Sequence, residues 1–105
     1  MGFDAARKTV IRALSEGAFL HEARDALSEK NLLAVGDVTA QEIITLLHRT
    51  RGDEYTSSPH DWDPETVVHV FRPLVGKERW YVKVYFLEEP ISTAVFISVH
   101  RSSQE

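Results

Sequence analysis

The sequence contains no cysteine and no long apolar run. The absence of cysteine excludes a disulfide, a thiolate metal site and a cysteine nucleophile. The opening segment, MGFDAARKTV, lacks the apolar stretch of a signal peptide, and no segment approaches the roughly 20 apolar residues of a transmembrane helix. We therefore expect a cytoplasmic protein with no membrane partner.

Positive charge is also scarce. The 105 residues include 12 Lys and Arg against 16 Asp and Glu, which gives a formal net charge of -4. Proteins that bind nucleic acid through its phosphates usually carry an excess of basic residues, so the total argues mildly against that class. The distribution is uneven, however, because the charges between residues 69 and 83 are mostly basic. A locally positive surface on an acidic protein is compatible with this pattern.

The chain divides into a helical half and a strand half. Hydrophobic residues make up 43% of it, which is enough for the core of a single domain over residues 1–105. Helical spacing of apolar residues predicts helices within about residues 4–51, and alternation predicts a sheet at about residues 66–100. This order predicts an α+β fold, with N-terminal helices packed on one face of a C-terminal antiparallel sheet of three to four strands.

Three helices are expected in the first half. Asp4 is the expected N-cap of the first, and the second covers about Leu20 to Lys30. Thr39 and Glu42 are three residues apart and form a capping box at the start of the third. His21 lies on the second predicted helix and is expected to be structural.

In the strand predicted at residues 79–87, every second residue from Trp80 to Phe86 is apolar, so the apolar side chains are expected on one side of the strand. Combined with the last strand, at residues 93–100, it predicts a core face and an open face. The helices are expected to cover the face that carries Val82, Val84, Phe86, Val95, Ile97 and Val99. The opposite face is expected to carry Tyr81, Lys83, Ser98 and His100.

The position of His69 depends on the register of its own strand, TVVHVFR. If Val68 and Val70 face the core, His69 shares the open face with Tyr81 and is a second proton-transfer group. In the opposite register, His69 is a buried, hydrogen-bonded histidine. We favour the open face.

The last third of the chain resembles a family of bacterial toxins. The elements Phe71-Arg72-Pro73, Gly76, Tyr81-Val82-Lys83 and Ser98-Val99-His100 occur in the order typical of the MqsR family, from toxin–antitoxin pairs. That family belongs to the RelE/ParE-like group of small α+β ribonucleases. The segment DEYTSS and the helical half also have a similar layout, so the resemblance covers about residues 5–101. It implies a RelE-like fold and metal-independent cleavage of messenger RNA.

The resemblance also implies roles for individual residues. Tyr81 matches the active-site tyrosine of the family, and His100 stands where many members have a functional lysine. Two positions depart from the family pattern, because Thr56 stands in place of a lysine and Val68 in place of a glutamine.

RNA scission without a metal requires a base for the ribose 2′-OH, a cation for the phosphorane and an acid for the leaving 5′-oxygen. A histidine titrates in the right range for proton transfer, and a tyrosine can position or donate a proton. The expected catalytic residues are Tyr81, His100 and His69. The expected phosphate-binding residues are Arg72, Lys77, Lys83 and Arg101. An alternative for Arg72 is an ion pair with a nearby acid.

No metal or cofactor is expected. The run HDWD at residues 60–63 contains possible metal ligands, but it lies in a loop with prolines and has no second ligand cluster at matching spacing. The expected partners are messenger RNA, free or on the ribosome, and a cognate antitoxin protein. A second hypothesis is a non-catalytic protein-binding or regulatory module on the same scaffold, because a fold does not fix a function.

Overall fold

A computed structural model describes residues 1–22, 31–87 and 92–102 of the chain. In this part of the chain the helices are α1 (Phe3–Glu16) and α2 (Ala40–Arg49), and a 3₁₀ turn spans Gly52–Glu54. The strands are β1 (Phe19–His21), β2 (Tyr55–Pro59), β3 (Val67–Phe71), β4 (Leu74–Val75), β5 (Glu78–Leu87) and β6 (Thr93–Ser102). The predicted α+β class is confirmed. No helix among the described residues is long and apolar enough to cross a membrane.

The six strands form one mixed sheet in the order β1–β6–β5–β3–β2, and β4 pairs with β5 outside this path. The prediction of three to four antiparallel strands is therefore wrong, because β1 pairs with β6 in parallel. Leu20 and His21 belong to β1 rather than to a helix, and residues 23–30 of the predicted second helix lie outside the described residues. A strand of three residues shows no readable alternation and depends on hydrogen bonds to a distant segment.

Helix α1 begins before the predicted cap. Gly2 is its N-cap and makes no side-chain cap bond, so the assignment of Asp4 to that position is wrong. Asp4 lies in the first turn, where a carboxylate favours the positive end of the helix dipole, and it accepts a 3.1 Å hydrogen bond from Arg7. The helix ends at Gly17, whose φ of 74° is left-handed and suits glycine.

Helix α2 begins with the predicted capping box. The Thr39 hydroxyl accepts from the backbone N–H of Glu42 at 3.1 Å, and the Glu42 carboxylate accepts from the N–H of Thr39 at 2.8 Å. Ile43, Leu46 and Leu47 are buried on one side of the helix. This side packs into the main core, which lies between the two helices and one face of the sheet.

A β-bulge interrupts the ladder between β5 and β6. Lys83 pairs with Ser98, whereas Val84 pairs with Phe96, so Ile97 has no residue opposite to it. One extra residue reverses the side to which all preceding residues of the strand point. The bulge therefore places Phe96 in the main core together with Val84.

The bulge also corrects the predicted core face. Val82, Val84 and Val99 are buried in the main core, as predicted. Ile97 instead belongs to a second apolar cluster with Val68 and Val70, and the predictions for Ile97 and Val95 are wrong. Val95 pairs with Tyr85, whose side chain packs on this second cluster, so both lie on the other face of the sheet.

Candidate functional site

The sheet face opposite α1 and α2 is called here the Tyr81 face; it carries the side chains of Arg79, Tyr81 and Lys83 from β5. Tyr81 lies directly opposite His100 of β6. Their rings stack with centroids 5.0 Å apart and planes 23° apart. Both side chains are half-buried, so their polar atoms remain within reach of a ligand. The predicted placement of Tyr81, Lys83 and His100 on one face is confirmed.

Arg72 lies on the other side of Tyr81. It follows Phe71, which pairs with Val82, and its backbone N–H continues the ladder to β2 by donating to the Glu54 carbonyl at 2.8 Å. The guanidinium is exposed and lines the same cleft as Tyr81. None of the ion pairs between described residues includes Arg72, and the alternative that it pairs with an acid stays a prediction. Arg72, Tyr81 and His100 thus form one row across three adjacent segments of the sheet.

A second row lies next to the first on the Tyr81 face. Lys83 pairs with Ser98 on one side and with Val70 on the other, and Val70 pairs with Thr56 of the edge strand. Lys83 is half-buried and lies two residues along β5 from Tyr81. The Cα atoms of Tyr81 and Lys83 are therefore about 7 Å apart along the strand, as the rise of a β-strand requires.

The two positions that depart from the family pattern also lie on this face. Thr56 is exposed on β2, and Val68 is buried in the second apolar cluster, against which Tyr81 packs. The fold therefore brings these positions toward Tyr81, but their side chains carry no group that transfers a proton near neutral pH.

A cleft of about 320 Å³ opens beside Tyr81. The residues that line it are three arginines, two acids and two aromatic residues: Arg51, Asp53, Glu54, Arg72, Arg79, Trp80 and Tyr81. Arginine side chains hold phosphate and carboxylate groups through paired N–H donors. The cleft is therefore suited to an anionic group next to the Tyr81–His100 pair.

Glu54 organises the wall of this cleft. It is 9% exposed, and its carboxylate accepts hydrogen bonds from the backbone N–H groups of Arg51 at 2.8 Å and Leu74 at 3.3 Å. The same carboxylate forms a 3.2 Å ion pair with Nη1 of Arg79, which also donates to the carbonyl of Arg72 at 2.8 Å. Glu54 thereby joins the 3₁₀ turn, β4 and β5, and fixes Arg79 at the rim of the cleft.

His69 does not lie on the Tyr81 face, so the favoured register was wrong. It pairs with Val84, whose side chain is in the main core, and it is 3% exposed. Its Nδ1 lies 2.7 Å from the hydroxyl of Tyr55, and the tautomer of the imidazole decides which of the two groups donates the hydrogen bond. Burial, and secondarily the positive N-terminus, lowers the pKa of His69 below its ordinary value. His69 is therefore separated by the sheet from Tyr81 and His100.

Two of the predicted phosphate-binding residues lie apart from the row. Lys77 is exposed in the turn between β4 and β5, about 13 Å of strand away from Tyr81. Arg101 pairs with Trp80, and its guanidinium lies over the Trp80 ring at 5.1 Å from the centroid. Trp80 belongs to the main core, so Arg101 points to the opposite side from its neighbour His100.

The HDWD run forms a local structure of its own. His60 is buried, its Nδ1 accepts the backbone N–H of Trp62 at 3.0 Å, and its Nε2 lies 3.0 Å from the carboxylate of Glu22. The first contact places the proton of a neutral imidazole on Nε2, which then donates to Glu22. Over residues 1–22, 31–87 and 92–102, no group of three metal-binding side chains is close enough to hold an ion.

Arg51, Glu54 and Arg79 were not among the predicted site residues. The alternation of β5 already places Arg79 on the side of Tyr81, so this residue could have been included from sequence. Arg51 and Glu54 lie before β2, and only the three-dimensional pairing of Glu54 with Arg72 brings them to Tyr81. No local pattern signals that pairing.

No protein-family model matches the chain, and no curated protein matches it significantly. The resemblance to MqsR-like toxins therefore depends only on the ordered set of residues in the last third of the chain. The arrangement of Arg72, Tyr81 and His100 is an independent observation about the same residues.

Proposed function

We propose that the protein is a metal-independent endoribonuclease that cleaves messenger RNA. The observation that supports this best is the row formed by Arg72, Tyr81 and His100 on one sheet face, next to the cleft. Each of the three tasks of RNA scission corresponds to a side chain type in this row. The fold of the proposed enzyme is RelE-like, as the resemblance implies.

His100 is the proposed proton-transfer group. Its Nδ1 lies 3.4 Å from the carbonyl of Arg101, and a proton on Nδ1 leaves the lone pair of Nε2 available as a base. The imidazole accepts the proton of the ribose 2′-OH while the 2′-oxygen attacks the phosphorus atom. The bond from phosphorus to the 5′-oxygen then breaks, and that oxygen receives a proton. The products are a 2′,3′-cyclic phosphate and a 5′-hydroxyl.

Tyr81, Arg72 and Lys83 are proposed to hold the reacting phosphate. The Tyr81 hydroxyl donates a hydrogen bond to a phosphate oxygen or a proton to the leaving 5′-oxygen, beside the His100 ring. The Arg72 guanidinium and the Lys83 ammonium stabilise the negative charge of the phosphorane. Lys77 is assigned to an outlying part of the RNA chain, because it lies in the turn before β5. Arg101 receives no role, because its guanidinium packs over Trp80 on the opposite face of the sheet.

The biological role that the resemblance suggests is that of a toxin in a type II toxin–antitoxin system. Its substrate is messenger RNA, free or engaged by the ribosome, and a cognate antitoxin neutralises it by protein–protein contact. The expected location is the cytoplasm, where this substrate is found.

The alternative function is a non-catalytic protein-binding or regulatory module. Two observations favour it: Thr56 and Val68 supply no proton-transfer group, and β2 is an edge strand with exposed residues along most of its length. An edge strand offers unpaired backbone groups to which a partner can add a strand. In that case the Tyr81 face takes part in binding and has no catalytic role.

Expression in bacteria and RNA cleavage by the purified protein distinguish the two functions. We expect the intact protein to arrest growth and to cleave single-stranded RNA in the presence of EDTA. His100→Gln should lower the cleavage rate by about 100-fold or more, the usual contribution of a proton-transfer group. His48→Gln is the matched control, because His48 is exposed on α2, away from the Tyr81 face.

A protein that leaves growth unaffected and long RNA intact contradicts the nuclease proposal and favours the binding module. Equal cleavage by the wild type and by His100→Gln removes His100 from the mechanism. Circular dichroism of both variants checks that a loss of cleavage is not a loss of folding.

A further inference from the structure

The cleft beside Tyr81 contains two arginines that the catalytic row does not use, Arg51 and Arg79. Three of its lining residues are arginines and two are carboxylates. Arg79 pairs with Glu54, and Arg51 pairs with Asp53 at 3.6 Å. Arg72 has no carboxylate partner in the described part of the chain. Among the described residues, the cleft therefore holds one guanidinium without a carboxylate partner, and it belongs to Arg72 of the catalytic row.

We propose that Arg51 and Arg79, next to Arg72 of the catalytic row, form a subsite for the RNA phosphate that adjoins the scissile one. This inference rests on the proposed function, since it places the scissile phosphate at Tyr81 and His100. Arg79 precedes Tyr81 by two residues on the same face of β5, which is about 7 Å along the strand. That step is comparable to the distance between successive phosphates of an extended single strand.

The hydrogen bonds of Arg79 leave part of its guanidinium available. Both of its contacts, to the Glu54 carboxylate and to the Arg72 carbonyl, use Nη1. Nη2 and Nε have no partner among the described residues, so two parallel N–H groups can serve one phosphate. The buried Glu54 carboxylate fixes the plane of the guanidinium before a ligand binds, which reduces the entropy lost on binding.

The pairing of Arg51 with Asp53 is loose enough to yield to a phosphate. Both side chains are largely exposed, at 74% and 73%, and exposed ion pairs of this kind contribute little free energy. A phosphate in the cleft therefore competes with Asp53 for Arg51. The guanidinium of Arg72 offsets the negative charge of that phosphate.

A purely structural role explains only part of this arrangement. The Arg79–Glu54 pair joins β5 to the 3₁₀ turn and would stabilise the fold without any ligand. That role does not account for Arg51 and Arg72, whose guanidiniums are exposed in the same cleft. The test therefore begins with Arg51, where a substitution does not threaten the core.

The experiment measures binding separately from cleavage. The probe is a fluorescent eight-nucleotide single strand with 2′-O-methyl groups, which has no 2′-hydroxyl proton and cannot be cleaved by the proposed route. Fluorescence anisotropy gives its affinity for the full-length wild type, for Arg51→Gln, Arg79→Gln and the double variant that combines them, and for Arg12→Gln over a series of salt concentrations. Arg12 is exposed on α1 and controls for the loss of one positive charge.

We expect Arg51→Gln and Arg79→Gln to weaken binding at least about fivefold, because each removes a charged hydrogen-bond donor. The double variant should lower the slope of log affinity against log salt by about 0.7, the loss of one phosphate contact on a single strand. Arg12→Gln should change both quantities little.

Equal affinities and slopes for Arg51→Gln and Arg12→Gln overturn the subsite, even when the wild type cleaves RNA normally. If binding depends on the arginines but the protein does not cleave unmodified RNA, the anion site stands and the nuclease proposal is wrong. A wild type that neither binds the probe nor cleaves RNA overturns both proposals.

Discussion

Tyr81 stacks on His100 across the β5–β6 ladder, with the ring centroids 5.0 Å apart. Direct pairing of the two residues fixes this distance, so the tyrosine ring supports the imidazole whether or not its hydroxyl takes part in chemistry. The contribution of the Tyr81 ring to stability can therefore be separated from the contribution of its hydroxyl to cleavage.

Tyr81→Phe and Tyr81→Ala separate them. Tyr81→Phe retains the stack and should change the free energy of unfolding by less than about 0.5 kcal/mol, while lowering the cleavage rate at least about tenfold. Tyr81→Ala removes the stack as well, and aromatic pairs contribute about 0.5–1.5 kcal/mol beyond their buried area. Single-turnover cleavage and urea unfolding measure the two effects. Full activity of Tyr81→Phe would mean that the hydroxyl has no part in the reaction.

The strands that were predicted correctly have a strong local pattern. β5 alternates between half-buried and buried positions from Arg79 to Tyr85, which was enough to place Tyr81 and Lys83 on one face. Helix α2 carries both a capping box and an apolar stripe. In these elements the local sequence and the tertiary packing favour the same structure.

The errors arose where the local pattern was weak or interrupted. β3 is apolar on both faces, since Val68 and Val70 pack in one cluster and Phe71 in the other, so alternation could not determine the side of His69. The bulge at Ile97 leaves no signal in a run such as AVFISVH. An apolar cluster lies on each face of the sheet. The sequence analysis assumed a single core, so it assigned the apolar residues of both clusters to the same face.

The bulge predicts which residues are energetically coupled to Ile97. In a double-mutant cycle, Ile97→Ala and Val70→Ala should interact by about 0.5–3 kcal/mol, because the two side chains share the second cluster. Ile97→Ala and Val82→Ala should be additive within about 0.5 kcal/mol, since the sheet separates them. Urea unfolding of the single and double variants measures both. Coupling to Val82 rather than to Val70 would contradict the bulge.

The buried His69 predicts a dependence of stability on pH. Its pKa is lowered in the folded state by burial, so below pH 6.5 the unfolded chain binds a proton that the folded protein resists. The free energy of unfolding should be at its full value above pH 6.5 and should fall as the pH drops below 6.5. Burial lowers the pKa of His21 as well, which adds a loss of the same sign.

His69→Asn isolates this contribution, since Asn keeps an acceptor for the Tyr55 hydroxyl but does not titrate. Urea unfolding from pH 8 to pH 5 should give a shallower loss of stability for His69→Asn than for the wild type. Parallel curves for the two proteins would show that the pKa of His69 is the same in the folded and unfolded states.

The capping box predicts a local loss of stability. Thr39→Ala removes the hydroxyl that accepts from the N–H of Glu42 and should cost about 1 kcal/mol. Thr45→Ala is the matched control, because Thr45 is exposed within the same helix and its hydroxyl only donates back to the Gln41 carbonyl. Thermal or urea unfolding should separate the two variants, and equal stabilities would contradict the capping role of Thr39.

The chemical identity of the cleaved RNA ends tests the central claim most directly. A single-stranded RNA is incubated with the purified protein in EDTA, next to the same sequence with 2′-O-methyl groups, and the products are identified by mass spectrometry. The proposed reaction at Tyr81 and His100 predicts 2′,3′-cyclic phosphate and 5′-hydroxyl ends from the RNA, and no products from the methylated strand. Intact RNA, 5′-phosphate ends or cleavage of the methylated strand would contradict it.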